Sequence, residues 1–156
     1  MSPQAVRDAF SGYPFGAPCP AAELARAEAA LGQRIPAVLR ELYLAFDGFR
    51  GPTNASFFWP LFAKTPGGFA LVEMNRYLRD DDVFPQAFTT GCVFYGDAGV
   101  GSQWGLKADL PGKIILWKPV WGARFRSGGD GPAGSVVGRK AIVRRIGLAP
   151  QRRRLY

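Results

Sequence analysis

The sequence predicts an α+β fold in which an N-terminal helical hairpin packs against an antiparallel, mostly meandering β-sheet. Three observations carry this. Apolar residues recur at helical spacing through the first half. The second half is a series of short aromatic and β-branched runs separated by Gly, Asp and Pro turns. Helices precede strands and do not alternate with them, which argues against a parallel βαβ arrangement. The chain of 156 residues is 47% apolar and 13% aromatic. That length suits one domain burying roughly two-thirds of its unfolded surface, so a core forms without metal or disulfide. No internal repeat is present.

Ser2-Pro3 can cap and start a short helix running to about Phe10, followed by an irregular approach through Gly12, Pro14, Gly16, Pro18 and Pro20. Ala21 to Gly48 then writes two helices and their stops. Pro20 suits a first turn, Leu24, Ala27, Glu28 and Leu31 recur at helical spacing, and Gly32 offers a left-handed stop. Pro36 opens the second helix, whose Leu39, Leu42, Tyr43 and Phe46 follow the i, i+3, i+4, i+7 pattern until Asp47-Gly48 closes it. Ile35 is expected to anchor the turn between them.

Beyond the hairpin, Ser56 to Phe62 reads as a buried strand, with Pro60 placing it at an edge or a bulge. Gly67-Gly68 precedes a further helix with an apolar stripe of Leu71, Met74, Tyr77 and Leu78, ended in solvent by Arg79-Asp80-Asp81-Asp82. Four strands follow in the reading: Cys92–Tyr95, Gln103–Leu106, Ile114–Trp117 and Trp121–Arg126. Residues 1–126 thus form the domain. Residues 127–156 form a basic Gly/Arg-rich tail, poorly ordered or carrying a short helix around Arg139 to Ile146, where each interior glycine costs about 1 kcal/mol relative to alanine.

The net charge of +8 is unevenly placed. Met1 to Trp121 holds eleven Lys/Arg against eleven Asp/Glu, whereas Gly122 to Tyr156 holds nine basic residues against Asp130 alone. The tail therefore accounts for the whole excess. Cys19 and Cys92 are too few for a disulfide framework and lack CxxC spacing, so they read as buried small apolar thiols. The N-terminal segment has no basic stretch followed by an apolar one, and no run reaches the roughly 18 apolar residues of a membrane span. A cytoplasmic protein with no membrane partner is expected.

The chain contains no histidine. This removes Ser-His-Asp and Cys-His nucleophile activation, most catalytic zinc sites and the usual general base near neutral pH. Asp80, Asp81 and Asp82 are the clustered carboxylates, and consecutive residues point in different directions, so a solvated helix end explains them more simply than a metal or acid/base site. Gly96 to Ser102 matches GxxxxG, but Ser102-Gln103 replaces the lysine of a P-loop and a strand-like run follows where a helix N-terminus is needed. A glycine-shaped connection between strands is expected there. Trp59, Trp104, Trp117 and Trp121 read as core or interface aromatics in preference to base-stacking platforms.

Together these motifs resemble the SUKH superfamily, the Smi/Knr-like proteins whose bacterial members are largely immunity proteins for polymorphic toxins. The family order is an acidic helix, a Gly then apolar-Pro step, an aromatic-bearing helix ending in Asn-Gly, and later a glycine-rich strand loop. Here Glu23 and Glu28, Leu31-Gly32, Ile35-Pro36, Leu39 to Phe46, then Asp47-Gly48 in place of Asn-Gly, and Gly96-Asp97 through Trp104 meet that order across about residues 20 to 121. The resemblance implies a non-enzymatic domain that binds a cognate toxin domain and blocks it. It implies no catalytic, cofactor-binding or metal residues, and it fixes no universal binding residue.

Asp80, Asp81, Asp82, Trp104 and Trp121 are the residues expected to touch the toxin. The aspartates would face a basic, nuclease-type surface and speed association. Family members usually end in an amphipathic helix packed on the sheet, and this chain carries the Gly/Arg tail instead, either as a degraded last helix or as a basic arm. The alternative function is a non-specific nucleic-acid-binding or regulatory module using Arg139, Lys140, Arg144, Arg145 and Arg152 to Arg154, with steep salt dependence. A hydrolase using Asp80 to Asp82 and a divalent ion ranks last.

Overall fold

Ser2 begins the first helix by accepting the Ala5 N–H on its hydroxyl at 3.2 Å. The computed structural model describes residues 2–50, 57–65, 68–80, 90–97, 102–110, 113–117 and 141–145. Its helices are α1 (Pro3–Ala9), α2 (Ala21–Leu31), α3 (Ala37–Ala45) and α4 (Leu71–Asp80), followed by β1 (Cys92–Asp97), β2 (Gln103–Lys107), β3 (Lys113–Trp117) and β4 (Ala141–Arg145). The four strands form one sheet in the order β1-β2-β3-β4, each neighbour antiparallel. The architecture is α+β, as the sequence predicts.

The α2–α3 hairpin forms where the punctuation places it. Gly32 adopts φ +64 and closes α2. Glu28 then reaches across the turn: its Oε1 accepts the Ile35 N–H at 3.0 Å and the Arg40 guanidinium at 2.6 Å. That double acceptance, the Arg40 bond foremost, lowers the Glu28 pKa. Leu24, Ala27, Leu31, Ile35, Leu39, Leu42, Tyr43 and Phe46 are all buried in one apolar cluster. Ile35 is the anchor expected of it.

The expected closure of α3 at Asp47-Gly48 is corrected, since the helix stops at Ala45 with Phe46 as an extended C-cap, and Asp47-Gly48 instead ties the next segment down. The Asp47 N–H donates to Ala17 O, and its carboxylate accepts the Leu61 N–H at 2.8 Å while facing Lys64 Nζ at 3.5 Å. Gly48 has φ +77, and a Cβ there would stand 2.7 Å from Pro60 N and 2.9 Å from Phe58 O, so backbone conformation and space both demand glycine. The pair pins the 58–64 segment beside α3.

That segment corrects the expected Ser56–Phe62 strand. Ser56 lies outside the described residues, and Phe58 forms only an isolated antiparallel bridge with Phe49. Its backbone groups are distributed among several partners: Trp59 N–H to Tyr95 O at 2.8 Å, Leu71 N–H to Pro60 O at 2.8 Å, and Val72 N–H to Leu61 O at 3.2 Å. Pro60 cannot donate to a ladder, so the segment instead supplies carbonyls to the unsatisfied N-terminal amides of α4.

The outer edge of β1 is closed by side chains. Asn75, 1% exposed on α4, donates to Phe94 O at 2.7 Å and accepts the Phe94 N–H at 2.9 Å, and Gln33 donates to Cys92 O at 3.0 Å. The ladder register shifts between Phe94 and Gly96, and the Tyr95 carbonyl left over is the one Trp59 uses. A sheet edge that would otherwise invite pairing is thereby consumed.

Behind it, Trp59, Leu78, Cys92, Phe94, Ile115 and Trp117 form a second buried cluster. Gly105 permits this packing, because a Cβ there would stand 2.7 Å from Cys92 Sγ and 3.0 Å from the Phe94 ring. Both cysteines are free and buried, and burial above all pushes each thiol to about 12.

Two further expectations are corrected. The short helix around Arg139 to Ile146 is instead strand β4, pairing Lys113 with Arg145 through to Trp117 with Ala141. Ile142 and Val143 are β-branched, and a helix of so few residues is not self-sustaining, whereas an antiparallel partner satisfies the backbone at once. In α4 the buried set is Leu71, Val72, Asn75 and Leu78, and Tyr77 is 58% exposed, so the expected stripe is rotated. The Trp121–Arg126 strand, the Ala98–Gly101 part of the glycine-rich loop and the remainder of the tail lie outside the described residues. No helix among the described residues is long and apolar enough to cross a membrane.

Candidate functional site

The rotation of α4 leaves an outward stripe of acidic and aromatic residues. Residues 73, 77 and 80 succeed one another at helical i, i+4, i+7 spacing on the face opposite Leu71, Asn75 and Leu78. They are Glu73, Tyr77 and Asp80, all exposed. Phe69, just before the helix, is 53% exposed and lines the same open groove as Glu73, Met74 and Tyr77.

The groove has a volume of about 600 Å³, and its opposite wall is Ala63, Lys64, Thr65 and Gly68. Through Lys64, Thr65, Gly68 and Phe69 it continues into a hollow of about 340 Å³ that reaches Phe15 and Arg50. A third hollow of about 270 Å³ shares Ala63 and Lys64 and extends to Phe62. These recesses form one shallow face.

The charges on α4 are sorted by side. Arg76 donates to Ala30 O at 3.3 Å and Arg79 to Leu31 O at 2.6 Å, so both cations meet the C-terminal end of α2, where carbonyls lack helical partners. Burial lowers the Arg79 pKa. Lys64 faces Asp47 at 3.5 Å. Glu73 and Asp80 form no close ion pair among the described residues, although Asp80 feels the charge of its neighbour Arg79, and the face carries two carboxylates beside two exposed rings.

Elsewhere rings already hold arginines, at Arg26 together with a carboxylate and at Arg7 without one. Arg26 pairs with Glu23 at 2.8 Å and lies 4.0 Å from the centroid of Phe62. Arg7 sits 5.0 Å and 5.2 Å from the Phe15 and Phe46 rings while donating to Ala45 O at 2.9 Å. Both are cation–π arrangements.

Of the residues expected at the binding surface, Asp80 lies on this stripe. Trp104 lies in β2 opposite Gly96 and Leu116, half-buried, and does not line the groove. Asp81, Asp82 and Trp121 lie outside the described residues. The sequence reading missed Phe69, Glu73 and Tyr77 as site residues: their i, i+4, i+8 spacing puts them on one side, but nothing in the sequence says that this side faces outward. Trp59 and Trp117 are core residues, each 1% exposed, and the Trp59 indole donates to Asp97 Oδ2 at 2.9 Å.

Among the described residues no three His, Cys, Asp or Glu side chains converge as metal ligands. Compared with known proteins, the chain matches no protein-family model, no curated protein and no solved structure.

Proposed function

We propose that this chain is an immunity protein of a bacterial polymorphic toxin system, which binds a cognate toxin domain through the outward face of α4 and covers that domain's working surface. The observation that carries the proposal is the stripe itself: Phe69 and Tyr77 exposed on one groove, with Glu73 and Asp80 beside them. Exposed aromatics clustered in a recess are the residue types that anchor interfaces, and blocking an enzyme needs only a complementary surface of roughly 800 Å² per partner. The SUKH-like order of motifs supports the same reading. So does the sorting of charge, because an acidic face speeds encounter with a basic, nuclease-type surface.

The test is co-expression with the toxin domain encoded by the neighbouring reading frame. The proposal expects the two to co-purify in equal amounts and the toxin's activity to fall to background. It also expects Asp80→Asn, Asp81→Asn and Asp82→Asn together to slow association at low salt and to matter less at high salt. A toxin that stays fully active in the presence of excess protein contradicts the proposal.

A further inference from the structure

We infer that the groove between Phe69 and Tyr77 is a subsite for an arginine side chain presented by the partner protein, with Glu73 as its carboxylate. This rests on α4 being the binding face and goes on to name the chemistry recognised there. Phe69, Glu73, Met74 and Tyr77 line a single recess, both rings are more than half exposed, and Glu73 lies between them in sequence at helical i+4 steps. A guanidinium suits such a place because its flat face stacks on a ring while its edge donates to a carboxylate in bidentate fashion, whereas an ammonium offers neither a stacking plane nor a paired edge. The Met74 side chain supplies a deformable apolar wall.

The chain itself shows the combination filled. Glu23, Arg26 and Phe62 bring together a carboxylate, a guanidinium and a ring with separations of 2.8 Å and 4.0 Å. At Phe69, Glu73 and Tyr77 the ring and carboxylate components recur with no cation over them among the described residues.

The cations nearby are otherwise engaged. Arg76 and Arg79 are bonded to the end of α2, and Lys64 faces Asp47, whose second oxygen holds Leu61 N–H. With Lys64 on the opposite wall turned to Asp47, Glu73 favours a basic occupant, and the two exposed rings favour the planar one.

The experiment uses the full chain, labelled for NMR, and four blocked tripeptides carrying arginine, citrulline, lysine or glutamate at the centre. The arginine peptide is expected to shift the Phe69 and Tyr77 ring resonances in a saturable manner. Its neutral isostere citrulline and the glutamate peptide are expected to leave them in place, and lysine to bind more weakly. Phe69→Ala, Tyr77→Ala and Glu73→Gln should each weaken the arginine response by roughly threefold, the scale of an exposed cation–π or ion-pair contact. These are surface substitutions, so the remaining spectrum reports that folding is intact.

Equal shifts from arginine and citrulline, equal affinity for arginine and lysine, or no response at these rings would overturn the inference. Because no toxin enters this experiment, its failure is distinct from failure of the proposed function, which is read from toxin binding and inhibition.

Discussion

Asn75→Ala is the substitution whose cost follows most directly from the geometry. The Asn75 amide sits 1% exposed and bonds both the N–H and the C=O of Phe94, together with Leu71 O, at 2.7 to 2.9 Å. Alanine leaves the two Phe94 groups buried and unpaired. Each such group costs about 1–3 kcal/mol, so a loss of about 3 kcal/mol is expected from the pair. In a chain of this length each kcal/mol moves Tm by roughly 2–4 °C, which gives a fall of about 6–12 °C in a thermal melt followed by circular dichroism.

Glu73→Ala, on the exposed face of the same helix, is the control and should stay within about 0.5 kcal/mol of the parent. Asn75→Asp adds a check by sign. A carboxylate cannot donate to Phe94 O, and burial raises its pKa, so the variant should be stabler in acid, where it is protonated, and weaken as pH rises. If Asn75→Ala costs less than about 1 kcal/mol, the closure of β1 by this side chain is refuted.

Three further outcomes follow from the same structure. Glu28 has its pKa lowered chiefly by the Arg40 hydrogen bond, so its contribution is present above the ordinary value of 4.5 and lost as pH falls through the folded value. Glu28→Gln should flatten the acid limb of a stability curve, and an unchanged limb counts against the clasp.

Cys19 and Cys92, both pushed by burial from 9.0 to about 12, contribute stability that is full below pH 9.0 and lost as pH climbs towards 12. Thiol reagents at neutral pH should therefore modify the native protein only as fast as it opens, and immediate stoichiometric reaction contradicts this. Deleting residues 127–156 removes β4 and strips β3 of five backbone pairings, so Tm should fall by several degrees; an unchanged melt would show β4 dispensable.

The parts of the fold that local rules decide were legible in the sequence. Ser2, Gly32 and Pro36 marked the start of α1, the end of α2 and the start of α3, because caps and left-handed glycines act within a turn of their own position, whereas α3 stops at Ala45, short of Asp47-Gly48. The first three strands were legible from aromatic and β-branched runs between turns.

What failed depended on distant partners. Tyr77 fits an apolar stripe by spacing, yet the helix is turned so that Asn75 reaches Phe94, a contact with no signature in the periodicity of α4. The 58–64 segment has strand composition, but its bonds are claimed separately by Phe49, Tyr95, Asp47 and the start of α4. Ala141–Arg145 is a strand only because β3 lies beside it. The candidate site inherited these limits: the acidic end of α4 was visible, and the aromatics beside it were not, since their exposure follows from the helix's rotation.

The measurement that bears most directly on the account is the affinity of the toxin domain for the Phe69→Ala, Tyr77→Ala double variant, set against Trp104→Ala in β2. Truncating two interface anchors should weaken binding by about 2 kcal/mol or more, roughly thirtyfold, with Trp104→Ala near neutral. Unchanged affinity in the double variant, or a loss confined to Trp104→Ala, would place the binding surface on the sheet and contradict the assignment of α4.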